Sequence, residues 1–338
     1  MATIKDVALL AGVGVGTASR VVSGKGYASP STVERVQKAI EELDFRPSHA
    51  ARALLSGTSQ MIGVYIPILK GSFYTPILAA IDTELRNAGL HMVVAFGVGK
   101  GDARRQAVEG IDFLIERGCD GVIAMSNHLC EEDIGRLGRR QSRIVLMNHR
   151  LACIDAQCFT ADHAYGGRLA ARALLEHGHT KLAVIGGPST APDNIDRIAG
   201  FMQELAAAGI DPAGVWQAES DFSPEAGWAE AKRLIDSGYN FSAVFCANDE
   251  IAVGAMAYFQ EIGRAVPHNI SVVGYDDTPS AAFSSPRLTC VRIPWLEMTM
   301  GALSELLNQC YGSKRIINRD FTISLTQRAS LAKRAGTM

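Results

Sequence analysis

Between Thr3 and Val22 two short helical patterns are separated by only three residues, Gly12-Val13-Gly14, and no other feature of this 338-residue chain constrains its fold as tightly. Thr3-Ile4-Lys5-Asp6 fits a capping box, in which a hydroxyl and an acid three residues later satisfy each other's open backbone amides. Ile4, Val7, Ala8 and Ala11 recur at helical spacing and predict a first helix to about Ala11. A second helix is expected from about Val15 to Val22, burying Ala18, Val21 and Val22, before Gly24-Lys25-Gly26 breaks the chain. Ser29-Pro30 supplies a cap and a proline at the first helical position, and Val33, Val36, Ile40 and Leu43 form the apolar stripe of a third helix. Three short helices then share one small core.

A helix, a tight turn and a second helix is the geometry that brings the second helix into the major groove of DNA. Val15, Gly16 and Arg20 fall on its outward face. Arginine can bond guanine O6 and N7 together, and valine offers a methyl surface to thymine. Thr17 and Ser19 suit phosphates. With Thr3 these are the candidate DNA-contacting residues of the headpiece. The net charge of −2 becomes informative when divided along the chain: in residues 1–33, Lys5, Arg20 and Lys25 stand against Asp6 alone, leaving +2 there and −4 elsewhere. The positive charge lies where DNA would. On spacing alone, a helical bundle with an incidental surface arginine fits equally well.

The string Thr3-Ile4-Lys5-Asp6-Val7-Ala8, then Ala11-Gly12-Val13 and Thr17-Ala18-Ser19-Arg20-Val21, closely resembles the headpiece of the lactose/galactose repressor family of bacterial transcription regulators. The resemblance runs the length of the chain and is nearest to the galactose repressor and the β-glucoside operon regulators. It implies a helix-turn-helix headpiece on an α/β periplasmic-binding-protein-like body of two parallel-sheet subdomains. It also implies a homodimer on a pseudo-palindromic double-stranded operator, and a small-molecule effector, a sugar or glycoside. Where the family usually has a capping serine, this chain has Gly14, which still caps but lacks the hydroxyl. The segment from Phe45 to Gly57 resembles the family's hinge helix, which pairs in the minor groove and wedges a leucine into a base step. By position that leucine is Leu54, with Ser48 as cap, Arg52 as a further candidate DNA contact, and Ala51 and Ala53 keeping the helix slim.

Thr58-Ser59-Gln60 is a polar joint, after which strands and helices alternate: Ile62–Ile66, His91–Phe96, Gly121–Met125, Arg143–Met147, Lys181–Ile185, Ala243–Cys246 and Ile270–Gly274 read as strands. Alternation of this kind implies parallel sheets with helices on both faces. The expected domains are a headpiece at 1–46, a hinge and linker at 47–60, and a body at 61–338. Its N-subdomain takes about 61–160 and 292–320, its C-subdomain about 161–290 and 321–338. Ligands in such sheets bind beyond the carboxyl ends of strands. Phe73, Tyr74, Ser126, Asn148, Arg197, Phe222, Asn248 and Asp276 lie at such positions, and the resemblance adds Trp295 from the last crossover. Aromatic faces with carboxylate, amide and guanidinium groups are what a polyol needs. Asp249 and Asp277 either join them or cap the helix or turn that follows. Met125 stands where the lactose-responsive member has an amide, so the hydroxyl pattern read by this cleft differs. Purine-responsive relatives share the same body.

Other chemistries find little support. Gly12-Val13-Gly14-Val15-Gly16-Thr17 lacks the third glycine and the preceding strand of a dinucleotide site, and Gly97-Val98-Gly99-Lys100-Gly101-Asp102 lacks the spacing and hydroxyl of a phosphate loop. His177 and His179 have no third metal ligand nearby. No serine sits in a nucleophile elbow. No catalytic residue, metal or cofactor is therefore expected. Seven cysteines, mostly in apolar stretches and without a CxxC pair or metal-ligand grouping, read as reduced core residues. The N-terminus lacks a signal-peptide core and the apolar runs are short, so a cytoplasmic protein without membrane contact is expected. A sugar-binding transport protein would share the body but not the headpiece.

Overall fold

The computed structural model describes residues 2–23, 27–45, 57–98 and 101–334. Ser48, Arg52 and Leu54 of the hinge lie outside them. The chain divides into two compact units, one of residues 1–61 with 118–120, the other of 62–117 and 121–338.

In the first unit, α1 (Ile4–Leu10), α2 (Val15–Ser23) and α3 (Pro30–Glu42) close on Val7, Ala11, Ala18, Val36, Ala39 and Phe45. Both elements of the capping box at Thr3 and Asp6 are formed, and Ser29 caps α3 by accepting from the Thr32 N–H. Val21 and Val22, expected in the core, are only half-buried. They sit in the last turn of α2, where the helix leaves the bundle, and pack against the edge of the cluster.

The second unit holds two sheets. The first comprises β1 (Met61–Ile66), β2 (His91–Phe96), β3 (Gly121–Ala124), β4 (Ile144–Met147) and β5 (Cys158–Phe159), in the order β2-β1-β3-β4-β5. The second comprises β6 (Leu182–Gly186), β7 (Trp216–Glu219), β8 (Ala243–Cys246), β9 (Ser271–Asp276), β10 (Thr289–Arg292) and β11 (Ser324–Thr326), in the order β11-β10-β9-β8-β6-β7. Counted from β6, its parallel strands repeat the order of the first sheet; β11 adds an antiparallel edge. The chain leaves the first sheet after Phe159, returns after Arg292 to form α12 (Trp295–Tyr311) against β3, β4 and β5, and goes back to the second sheet at Ser324.

Strands β5, β7, β10 and β11 escape sequence reading. β5 has two residues, and β7 is an edge strand, Trp216-Gln217-Ala218-Glu219, whose burial alternates with no residue fully covered. Central strands β8 and β9 are buried on both faces and read as continuous apolar runs.

Two helix pairs in the second subdomain pack backbone to backbone. In α7 (His163–Glu176) and α8 (Pro192–Ala207), a Cβ on Gly167 would collide with the Arg197 carbonyl and one on Gly200 with that of Ala164. The same device recurs in α9 (Pro224–Asp236) and α10 (Asp249–Glu261), where Gly227 faces Ile251 and Gly254 faces Pro224. Gly167→Ala must push α8 away, at about 1–3 kcal/mol. Thermal unfolding of the full chain should show a lower Tm for it, with Gly135→Ala as control, since a Cβ there meets nothing within 4 Å. Equal melting of the two variants would refute the close crossing.

Candidate functional site

On the headpiece, Val15, Gly16 and Arg20 are exposed, while Thr17 and Ser19 are half-buried. The Arg20 guanidinium folds along its own helix, donating from Nε to the Gly16 carbonyl (3.3 Å) and from Nη2 to Thr17 Oγ1 (3.2 Å). These two bonds hold it beside the start of α2 without burying it. The Thr3 hydroxyl already serves the cap, donating to Asp6 Oδ2 at 2.8 Å. Hydrogen bonds from the Thr3 N–H and hydroxyl hold the Asp6 carboxyl below its ordinary value. Gly14 caps α2 through its carbonyl alone, which accepts from the Thr17 and Ala18 N–H groups (2.8 and 3.0 Å).

In the body, strand order reverses between β1 and β3 and again between β6 and β8. Such switch points open a crevice beyond the strand ends. Four non-glycine residues there have left-handed backbone: Asn148 after β4 (φ 59°), Phe222 after β7 (65°), and Asp276 and Asp277 at the end of β9 (105° and 62°). Strain of this kind persists only where the surroundings impose it, and it collects at binding sites.

Arg197, on the second turn of α8, is only 2% exposed. Its Nη2 donates to Asp193 Oδ2 (3.0 Å), one turn earlier, and its Nη1 to the Ala247 carbonyl after β8. The guanidinium lies 4.0 Å from the Tyr275 ring centre and 5.9 Å from that of Phe222. Burial works against its charge, but Asp193, Tyr275, Asp276 and Asp249 outweigh it and keep the cation charged. Its Nε is buried with no acceptor among the described residues.

Asp276 is buried too, with one side-chain donor among the described residues, the Trp295 indole Nε1–H at 3.3 Å. Burial pushes its carboxyl up to about 7, against the lowering effect of Arg197. Trp295 meets Phe73 edge to face at 4.9 Å, and Phe73 meets Tyr74 likewise at 4.9 Å. Asn148 joins through a residue that sequence reading missed: His163, first in α7, contacts the Asn148 Oδ1 with Nε2 (2.7 Å) and the Tyr275 hydroxyl with Nδ1 (3.0 Å). The only sequence signal for His163 was its place directly after the capping Asp162.

Several candidates are occupied differently. Asn248 is the N-cap of α10: its Oδ1 accepts from the Ile251 N–H (2.8 Å) and its Nδ2 donates to the Phe222 carbonyl (3.0 Å), leaving one N–H. Asp249 is fully buried: its Oδ2 accepts from the Thr278 N–H and hydroxyl (2.7 and 2.9 Å) and its Oδ1 has no donor among the described residues, while Asp277 pairs with Arg328 (2.5 Å). The Ser126 hydroxyl accepts from the His128 N–H within its own loop (3.3 Å). Met125 belongs to the apolar core. Of the cysteines expected in the core, Cys158, Cys246 and Cys290 are buried, whereas Cys119, Cys130 and Cys310 are half-buried and Cys153 is exposed, because an apolar neighbourhood in sequence does not fix which face a side chain takes.

Polar links cross between the subdomains. Asn127 donates to Asp193, the partner of Arg197. The Ser72 N–H and hydroxyl donate to Glu250 Oε1 (3.0 and 2.5 Å), and Lys70 pairs with Glu225 (3.2 Å). The site thus offers guanidinium and amide donors against one carboxylate, between aromatic rings.

Comparisons with known proteins agree at both ends. Residues 3–48 match the model for bacterial regulatory proteins, lacI family, and residues 171–331 match that for a periplasmic binding protein-like domain. The chain is 31% identical over 334 residues to the HTH-type transcriptional regulator AscG of Escherichia coli strain K12, covering 98% of each protein. Among solved structures, a transcriptional regulator of the LacI family from Burkhoderia phymatum is 47% identical, with a TM-score of 0.78 over 81% of this chain and 99% of that one. The lac repressor dimer bound to operator and the anti-inducer ONPF is 27% identical, with a TM-score of 0.81 over 98% of this chain and 99% of that one.

Two outcomes follow from this geometry. Arg20→Ala should cost about 1–3 kcal/mol of operator affinity and relax selectivity at one base pair; equal weakening on random DNA would mean it touches only phosphate. Asp276, raised from 3.8 to about 7 on folding, holds more protons folded than unfolded in that interval. Its contribution to stability is complete below the unfolded value and is lost as pH rises through about 7. Chemical denaturation across this range should show a falling slope that Asp276→Asn diminishes.

Proposed function

The chain belongs to the lacI family of bacterial regulatory proteins, and from that premise we propose that it represses a sugar catabolic operon and is controlled by a small sugar or glycoside held between the two subdomains. It is a DNA-binding transcription regulator with an effector-binding body. The observation that carries the choice of effector is the buried Arg197 guanidinium, held by Asp193, within electrostatic reach of the buried Asp276 carboxyl, with Phe222, Trp295 and Phe73 around them. Each sugar hydroxyl both donates and accepts, so a cation and a carboxylate can engage vicinal hydroxyls together, and the rings cover the C–H faces.

In this reading two copies of the chain form a homodimer. Val15, Gly16 and Arg20 read each half-site, Thr3, Thr17, Ser19 and Arg52 touch the backbone, and Leu54, with Ser48 as cap, wedges the operator centre. The effector contacts Asn148, Asn248, Ser126 and Tyr74 besides the residues named above. It acts by its differential affinity for two arrangements of the subdomains, and so changes the separation of the hinge segments. No turnover is part of this function.

Thermal-shift screening of the full chain against D-galactose, D-ribose, cellobiose and hypoxanthine tests the reading, coupled to operator binding in a gel or by anisotropy. A sugar should raise the Tm and change operator affinity, and Asp276→Asn should abolish that response while operator binding survives. A normal response in the variant would mean that the site lies elsewhere. A response to hypoxanthine alone would replace the sugar by a purine, and turnover of any sugar would overturn the regulator without chemistry.

A further inference from the structure

His163 is 3% exposed, and its ring lies within 6.3 Å of Trp295 and 6.0 Å of Tyr275, centre to centre. It joins two side chains from different subdomains: Asn148 follows β4 of the first sheet, and Tyr275 lies in β9 of the second. The protons on this chain can be placed by elimination. The Tyr275 hydroxyl is fully buried and lies against the Gly166 backbone, where a Cβ would strike it. Among the described residues its one partner is His163 Nδ1. A buried hydroxyl proton without an acceptor is costly, so the hydroxyl donates and Nδ1 accepts.

Burial, and then the Arg197 cation, depress the imidazole to about 3 against the opposing pull of Asp193 and Asp162, so the ring is neutral near neutrality. Its single proton must then sit on Nε2, which donates to Asn148 Oδ1. With Oδ1 taken, the remaining polar group of the Asn148 side chain is Nδ2, which donates to no acceptor among the described residues. The backbone on which this amide stands is left-handed and is tied by its N–H to the Phe159 carbonyl (2.8 Å). The amide therefore has neither backbone freedom nor a choice of face.

We propose that His163 is a positioning residue that fixes Asn148 as a hydrogen-bond donor to the cleft, so that the effector must present an acceptor oxygen there. This rests on the reading of the cleft as the effector site. The polarity is set by the protein before anything binds: Tyr275 donates to His163, His163 to Asn148, and Asn148 to the effector. A group that can only donate, such as an ammonium or a ring N–H, is rejected at this point because two donors would face each other.

Nitrogen NMR of the histidines in the full chain tests the polarity without any effector. His163 should be neutral with its proton on Nε2 from about pH 5 to about pH 8. A proton on Nδ1, or a charged ring in this range, overturns the proposal. The second measurement is calorimetric binding of D-galactose, D-ribose, cellobiose and hypoxanthine to the parent, His163→Phe and His163→Gln. Phenylalanine keeps the ring packing and removes both nitrogens; glutamine restores an N–H donor near the place of Nε2. For each probe that binds the parent, His163→Phe should lose about tenfold in affinity and His163→Gln should stay within about threefold. Equal loss in both variants, or none in His163→Phe, overturns the positioning role. If none of the four probes binds the parent, the effector reading of the cleft fails, and the NMR result still decides whether His163 sets the polarity of Asn148.

Discussion

A guanidinium with almost no contact with water is the constraint around which the body is arranged. Removing one partner of a buried pair leaves an uncompensated charge, which is costly in a low-dielectric interior. Arg197 therefore needs Asp193 one turn earlier on its own helix, the Ala247 carbonyl from the end of β8, and the faces of Tyr275 and Phe222. Each demand fixes another element. Asp193 fixes Asn127 across the cleft, Phe222 takes a left-handed backbone, and Gly167 lets α7 lie against the Arg197 carbonyl. The Arg197 Nε, like the Oδ1 of nearby Asp249, is left without a partner among the described residues.

The same logic explains what could be read in the sequence. Headpiece helices announce themselves through local chemistry: Thr3 with Asp6, Ser29 with Pro30, and apolar residues three and four apart. Strands β1, β8 and β9 are continuous apolar runs because helices cover both faces. Strand ends are where chain direction changes, so Asn148, Asn248 and Asp276 could be picked out as following a run. Their partners could not. His163 and Tyr275 are 112 residues apart, and Ser72 and Glu250 are 178 apart. Nothing local in a helix-starting histidine or a strand tyrosine tells that they meet. Asn248 and Asp249 show the opposite limit: adjacent polar residues after a strand look alike, and only their backbone partners separate a cap from a buried acceptor.

Left-handed backbone and buried charge coincide in this site for one reason. A strand running straight past its last residue would keep its side chains on the two faces of the sheet rather than turning one into the crevice beyond its end. Turning it requires an unfavourable φ, which costs on the order of 1–3 kcal/mol for a residue with a side chain. Asn and Asp tolerate it best, because their short polar chains bond locally. Phe222 does not enjoy that relief. Its ring is held instead against Gly187, where a Cβ would overlap it, and its carbonyl is held by Asn248. Gly187, directly after β6, is thus as much a part of the aromatic wall as the phenylalanine itself.

Trp295 connects this chemistry to the chain path. It is the first residue of α12, two residues after the chain leaves the second subdomain through Ile293 and Pro294. Its indole donates back to Asp276 in the sheet just left. A hydroxyl arriving at Asp276 must either share that carboxyl with the indole or displace it, and a donor also favours the charged form of a group whose pKa stands at about 7. Whatever binds there therefore acts on proton, indole and crossover at once. A ligand that met only the aromatic wall would gain burial from Phe73 and Phe222 without touching the segment that joins the subdomains, and it would have less to distinguish one arrangement from the other.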